Sequence, residues 1–160
     1  CKYYIEQSRK ELVDRLTPED KQLILSMFVA DIERLNEQIK EGEKYPSKVL
    51  ILTDPLCTLE VREQIFRDII AMYEMDAQVF LKPHPRDYLD YKTLFAEYPQ
   101  FDATMPMEML NFFDNVKFDK AVGVLTEMKG ITFAKEAIRL GPDFMDKYEE
   151  PSIHRQNEMI

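Results

Sequence analysis

One hexapeptide holds the densest chemistry in the chain: Lys82-Pro83-His84-Pro85-Arg86-Asp87. The prolines on either side of His84 restrict its backbone and hold it extended, so that the imidazole is aimed outward from a strand end. An imidazole in that position donates a hydrogen bond to a phosphate, or protonates one as it leaves. Lys82 and Arg86 add positive potential beside it. Other polar residues end apolar runs in the same way: Thr53-Asp54, and Thr126-Glu127. Glu108 stands at the start of an expected helix, where a carboxylate either pairs with ribose hydroxyls or favours the helix amino terminus. Each of these has an ordinary alternative, a rigid surface turn for the hexapeptide and a capping or strand-end role for the rest.

The elements that must position these residues follow from periodicity. Thr17-Pro18-Glu19-Asp20 is a helix start, with Thr17 as N-cap and Pro18 in the first turn. Leu23, Ile24, Met27, Phe28, Ile32, Leu35 and Ile39 recur at helical spacing and predict one helix up to the linker Glu41–Ser47. A shorter helix is expected over Ser8–Leu16. Val49–Thr53 is a continuous apolar run, as in a strand covered on both faces. Thr58 caps a helix with Val61, Ile65, Ile69, Ile70 and Met72. Strands are expected at Ala77–Leu81, at Ala121–Leu125 and, briefly, near Phe101–Thr104. Helices are expected from Pro106, over Ile131–Leu140 with Gly141-Pro142 as its stop, and over Asp143–Tyr148.

Strands alternating with helices predict an α/β fold, a Rossmann-like parallel sheet with helices on both faces, preceded by a helical segment. The expected division is a helical segment and linker over 1–47, a Rossmann-like domain over 48–150 and a polar tail over 151–160. In open sheets of this kind ligands collect beyond the carboxyl ends of the strands, where the polar residues above lie.

Composition narrows the chemistry. Thirty acidic residues against 21 basic ones give a net charge of −9, which disfavours non-specific nucleic-acid binding. Two cysteines, Cys1 and Cys57, suggest no disulfide framework and a reducing compartment. His84 and His154 stand far apart, without the spacing of a metal site, so no metal and no cofactor is expected. No apolar run approaches the roughly 20 residues of a membrane span. The chain starts at Cys1 and not at a methionine, which leads to the expectation of a piece of a longer protein.

The ordered set ILTDPL, KPHPRD, MPMEML, VGVLT and AKEAIRLG resembles the carboxyl-terminal half of glycosyltransferase family 52, the bacterial sialyltransferase-type enzymes of GT-B fold. The resemblance implies one half of a GT-B fold and a nucleotide-sugar donor, CMP-linked, bound without metal. It implies that the Lys82-Pro83 backbone faces the base and Glu108 the ribose. His84, between Pro83 and Pro85, would act on the departing phosphate as the catalytic residue. Thr126 would grip the same phosphate, with Thr53 and Asp54 lining the site. The acceptor hydroxyl would be deprotonated by an acid in an amino-terminal domain of the same protein, leaving this chain a partial enzyme. Localisation would be cytoplasmic, peripheral to the inner face of the cell membrane through other segments. One departure stands out: Glu127 follows Thr126 where the family has a second small hydroxyl residue, and a carboxylate facing a phosphate opposes binding. Two other readings remain: a CDP-alcohol polyol-phosphate transferase of the teichoic-acid type, and a non-catalytic interaction domain with a degenerate donor site.

Overall fold

The computed structural model describes residues 15–28, 32–112 and 117–151. Its elements in chain order are helices α1 (Pro18–Phe28) and α2 (Ile32–Glu41), a 3-10 turn at Gly42–Lys44, strand β1 (Ser47–Leu52), helix α3 (Leu59–Tyr73) and strand β2 (Ala77–Lys82). There follow the one-turn helix α4 (Tyr91–Leu94), a 3-10 turn at Met107–Phe112, strands β3 (Phe118–Gly123) and β4 (Ala134–Arg139), and the short helix α5 (Pro142–Met145).

The four strands form one parallel sheet in the order β2-β1-β3-β4. β1 pairs with β2 from Ser47↔Ala77 to Leu52↔Lys82 and with β3 from Val49↔Lys120 to Ile51↔Val122. The chain leaves β1 for β2 on one side, then returns across to β3 on the other. The order therefore reverses between β1 and β3, and this opens a crevice at their carboxyl ends.

Both faces of the sheet are covered, which is why Val49–Leu52 of β1 and Val79–Leu81 of β2 read as continuous apolar runs. On one face Val49, Ile51, Val79, Leu81 and Val122 pack against Ile65, Phe66, Ile69 and Ile70 of α3. Thr58 starts that helix by accepting from the Val61 N–H. On the other face Leu50, Leu52 and Phe80 meet Leu35 and Ile39 of α2, together with Phe101, Met105, Leu110 and Phe118. The Phe80 and Phe118 rings meet edge-on at 5.2 Å.

The amino-terminal helix starts at Pro18 as expected: Thr17 Oγ1 accepts from Asp20 N–H while Asp20 Oδ2 accepts from Thr17 N–H, a reciprocal cap. It is described as two helices, with residues 29–31 outside the described residues. The helix expected over Ser8–Leu16 lies almost wholly outside them, and so does the tail beyond 151.

Several expectations are corrected. Residues 131–140 are not a helix; they carry β4, registered on β3 from Phe118↔Ala134 to Gly123↔Arg139. The helix-favouring Ala-Lys-Glu-Ala yields because so short a helix is marginal alone, whereas the edge of β3 offers a ready ladder. Gly141-Pro142, expected to stop a helix, starts one instead: Gly141 takes φ 79° and Pro142 opens α5. The strand near Phe101–Thr104 reduces to a single Leu81↔Gln100 bridge. Beyond it Asp102 accepts from the N–H and hydroxyl of Thr104, a local turn that competes with pairing. The helix from Pro106 is a 3-10 turn, and β3 ends at Gly123, before Val124 and Leu125.

Candidate functional site

Three loops meet at the carboxyl ends of β1, β2 and β3. The loop after β2 carries the hexapeptide, and its last residue organises it. Asp87 is buried and accepts four bonds: on Oδ1 from Arg62 Nη1 at 2.7 Å and Leu89 N–H at 3.2 Å, on Oδ2 from Thr53 Oγ1 at 2.9 Å and Tyr91 OH at 2.6 Å. A buried carboxylate is tolerated when its lone pairs are filled and its charge is paired, and both hold here. Burial and the bond to Asp87 also push the Tyr91 hydroxyl far above its usual range.

Arg62 extends the clamp to the loop after β1. Its Nε donates to Leu56 O and its Nη2 to Cys57 O. That loop turns through Cys57 at φ 54°, a left-handed conformation unfavourable for a residue with a Cβ. The guanidinium holds two successive carbonyls of the strained loop and, on its other nitrogen, the hexapeptide. Burial raises the Cys57 thiol to about 11, with Glu149 adding to the effect.

His84 sits half-buried in a turn closed by Asp87 N–H donating to His84 O at 2.9 Å. Its backbone N–H donates to Thr53 Oγ1 at 3.0 Å. Its ring Nδ1 accepts from Arg86 N–H at 3.0 Å. A nitrogen that accepts carries no hydrogen in the neutral ring, so this bond assigns the hydrogen to Nε2. The imidazole thus has a fixed tautomer, with one nitrogen used by the loop and the other a donor.

The remaining candidates fall as follows. Lys82 is buried, and its ammonium donates to Pro83 O and Ala103 O, each at 3.0 Å. Burial lowers its pKa to about 8, partly opposed by Asp102. The cation thus ties the hexapeptide to the 101–105 segment and is not presented to solvent, whereas Arg86 is exposed. Pro83 is buried and Pro85 exposed. Thr53 is 2 % exposed, its hydroxyl spent between His84 and Asp87. Glu108 lies in the 3-10 turn Met107–Phe112.

Asp54 and Thr126 are brought together across the crevice. Asp54 Oδ2 accepts from Thr126 Oγ1 at 2.7 Å and from Leu125 N–H at 3.2 Å. The Thr126 hydroxyl, expected to grip a phosphate, is thus held by a carboxylate of this chain. Glu127 turns the other way: it is exposed and accepts from Lys129 N–H in its own turn. A bonded path runs from His84 to Thr53, along the chain to Asp54, and on to Thr126, joining the three strand ends.

Arg62 and Tyr91 were not among the candidates read from the sequence, and Asp87 was read only as the end of the hexapeptide, with no role of its own. A signal existed for Arg62: it interrupts the apolar stripe of its helix at helical spacing from Ile65, Phe66 and Ile69. A long cation on the buried stripe needs a buried acceptor, and Asp87 at the end of the hexapeptide supplies it.

No solved structure matches this chain. An uncharacterized protein of Haemophilus influenzae is 28% identical over 134 residues, covering 81% of this chain and 41% of that protein. The chain therefore spans less than half the length of the curated relative it matches. The sequence model of glycosyltransferase family 52 matches residues 2–121. That stretch takes in β1, β2, the hexapeptide with its Arg62 clamp and the turn containing Glu108, and it stops before Thr126. With three of the four sheet strands reached and the imidazole loop inside the match, the chain belongs to glycosyltransferase family 52.

Proposed function

We propose that this region binds the nucleotide end of a nucleotide-sugar donor, CMP-linked, in a sialyltransferase-like enzyme of bacterial surface-polysaccharide or lipooligosaccharide synthesis. The observation that carries the reading is the fixed tautomer of His84: Nδ1 is satisfied by Arg86 N–H, and Nε2 is left to donate. As the bond between sugar and nucleotide breaks, negative charge grows on the phosphate, and a donor held in place beforehand stabilises it without reorganisation. With Nδ1 accepting from Arg86 N–H, Nε2 acts by donating a hydrogen bond to the departing phosphate and keeps its hydrogen, since losing it would leave an imidazolate.

The other roles are those that the family resemblance implies. The Lys82-Pro83 backbone faces the base, Glu108 the ribose and Thr126 the phosphate, while Pro83 and Pro85 stiffen the loop. Thr53 positions His84 by accepting its backbone N–H. Asp54 must leave Thr126 for the phosphate to reach it. No metal enters the scheme. Another domain of the same protein supplies the base for the acceptor hydroxyl, and GT-B architecture and peripheral membrane attachment belong to the whole protein.

A thermal-shift titration with CMP tests this. The melting midpoint rises with millimolar CMP, and His84→Ala abolishes the rise while leaving the unliganded midpoint near that of the parent. Absence of a shift with every cytidine nucleotide sinks the reading. CDP-glycerol protecting better than CMP-sialic acid transfers it to the polyol-phosphate class. The Asp54–Thr126 bond favours a second reading, a non-catalytic domain whose donor site is filled by its own carboxylate.

A further inference from the structure

The hydrogen bond that assigns the His84 tautomer is too weak to do so alone. Arg86 N–H donates to Nδ1 from two residues along the chain, at an exposed position. One bond of that kind shifts an equilibrium only roughly fivefold. The ring keeps one tautomer if the backbone is held so that Arg86 N–H always faces Nδ1. Two further bonds hold it: Asp87 N–H donates to His84 O at 2.9 Å, and His84 N–H to Thr53 Oγ1 at 3.0 Å.

Both trace back to one guanidinium. The Thr53 hydroxyl turns a lone pair to His84 N–H because its hydrogen is committed to Asp87 Oδ2 at 2.9 Å. An ionised carboxylate only accepts, so it dictates the direction of that hydroxyl. Asp87 in turn is buried, and its charge is met by Arg62 Nη1 at 2.7 Å. Arg62 is itself fixed, with Nε on Leu56 O and Nη2 on Cys57 O. Arg62, Thr53 and Tyr91 are 7 %, 2 % and 3 % exposed, so they act on a ligand only through the ring.

We propose that Arg62 is a positioning residue for His84: from α3, by way of Asp87 and Thr53, it sets the ring tautomer and so keeps Nε2–H for the departing phosphate. The same guanidinium grips the loop after β1, so the imidazole and that loop keep their relative place. The use of the ring on a phosphate rests on the donor reading above, whereas the control of the ring does not. A lysine at position 62 keeps the charge. As a point cation on a flexible stem, it cannot meet Asp87, Leu56 O and Cys57 O together.

Nitrogen NMR of the imidazoles in the labelled intact protein tests this without any nucleotide, in mildly alkaline solution where the ring is neutral. The signals that His84→Ala removes identify the ring. The parent shows Nδ1 bare and Nε2 protonated, beyond the mixture of a histidine peptide in water. In Arg62→Lys, and in the near-isosteric Thr53→Val, the tautomer ratio moves roughly fivefold or more toward that mixture. Thr53→Ser keeps the hydroxyl and retains the parent's ring signals. Cooperative melting shows which variants are folded, and Thr53→Val carries the test if Arg62→Lys does not fold. A parent ring that samples both tautomers, or a folded Thr53→Val with the parent's ratio, overturns the assignment. CMP titration of the same proteins is read separately, with binding weakened roughly tenfold in both variants. Equal CMP affinity in parent and variants removes Arg62 from donor binding. A parent that binds no CMP, with ring signals as expected, sinks the donor reading alone.

Discussion

Asp87 and Lys82 are the two buried charges of the hexapeptide, and they are held in opposite ways. Asp87 has a full set of donors and a cationic partner at 2.7 Å with side-chain exposures of 8 % and 0 %. Replacing it by alanine leaves Arg62 buried without its counter-charge, a loss of about 3–5 kcal/mol. Urea denaturation of Asp87→Ala measures this, and a loss no larger than that of a surface mutation would show that the two loops are held by something else. Lys82 has hydrogen bonds only to carbonyls, and burial depresses its pKa from 10.5 to about 8. Between these values the unfolded chain binds more protons at this lysine than the folded one. Stability from this group therefore rises as pH rises from about 8 to 10.5, and it is lost as pH falls through 8. The gap between parent and Lys82→Met should widen in favour of the parent over that window, by up to roughly 3 kcal/mol. Taking the difference removes the common contribution of the tyrosines. A gap that stays constant with pH contradicts the depressed pKa.

At the scale of elements, β2 and β4 show opposite relations between local pattern and outcome. All six residues of β2 are buried, and its Val-Phe-Leu centre favours a strand by itself. Phe80 joins β2 to the second core through Phe101 and Phe118. Phe80→Ala should cost about 3–5 kcal/mol in chemical denaturation with the far-ultraviolet spectrum preserved. A smaller cost would mean that the ring cluster closes over the cavity. β4 has an exposed, charged composition that suits an edge strand, since Lys135, Glu136 and Arg139 discourage pairing with another chain. The same composition suits a helix, and no local rule separates the two.

For the molecule as a whole, the helical segment and the sheet share a core. Leu35 and Ile39 are each 4 % exposed, against Leu50, Leu52 and Phe80 at 2 % or less. Gln78 of β2 bonds to Gln38 of α2, which fixes the helix to the sheet. A chain starting at Pro46 should therefore expose that sheet face, bind the dye ANS and lose its cooperative transition. A truncated chain that melts as sharply as the parent would show the segment to be an appendage.

The sequence by itself determined the α/β alternation, the two central strands, the helix after Thr58 and the clustering of candidate chemistry beyond the strand ends. These depend on periodicity and on proline, glycine and capping residues, which act over a few neighbours. Tertiary structure alone decided that 134–139 is a strand, that Lys82 points inward, that Asp87 anchors the imidazole loop through Arg62, and that Asp54 occupies the Thr126 hydroxyl. Each of these pairs groups at least 16 residues apart in the chain. Burial and partner choice at such separations depend on which surfaces meet, and no local pattern carries that information.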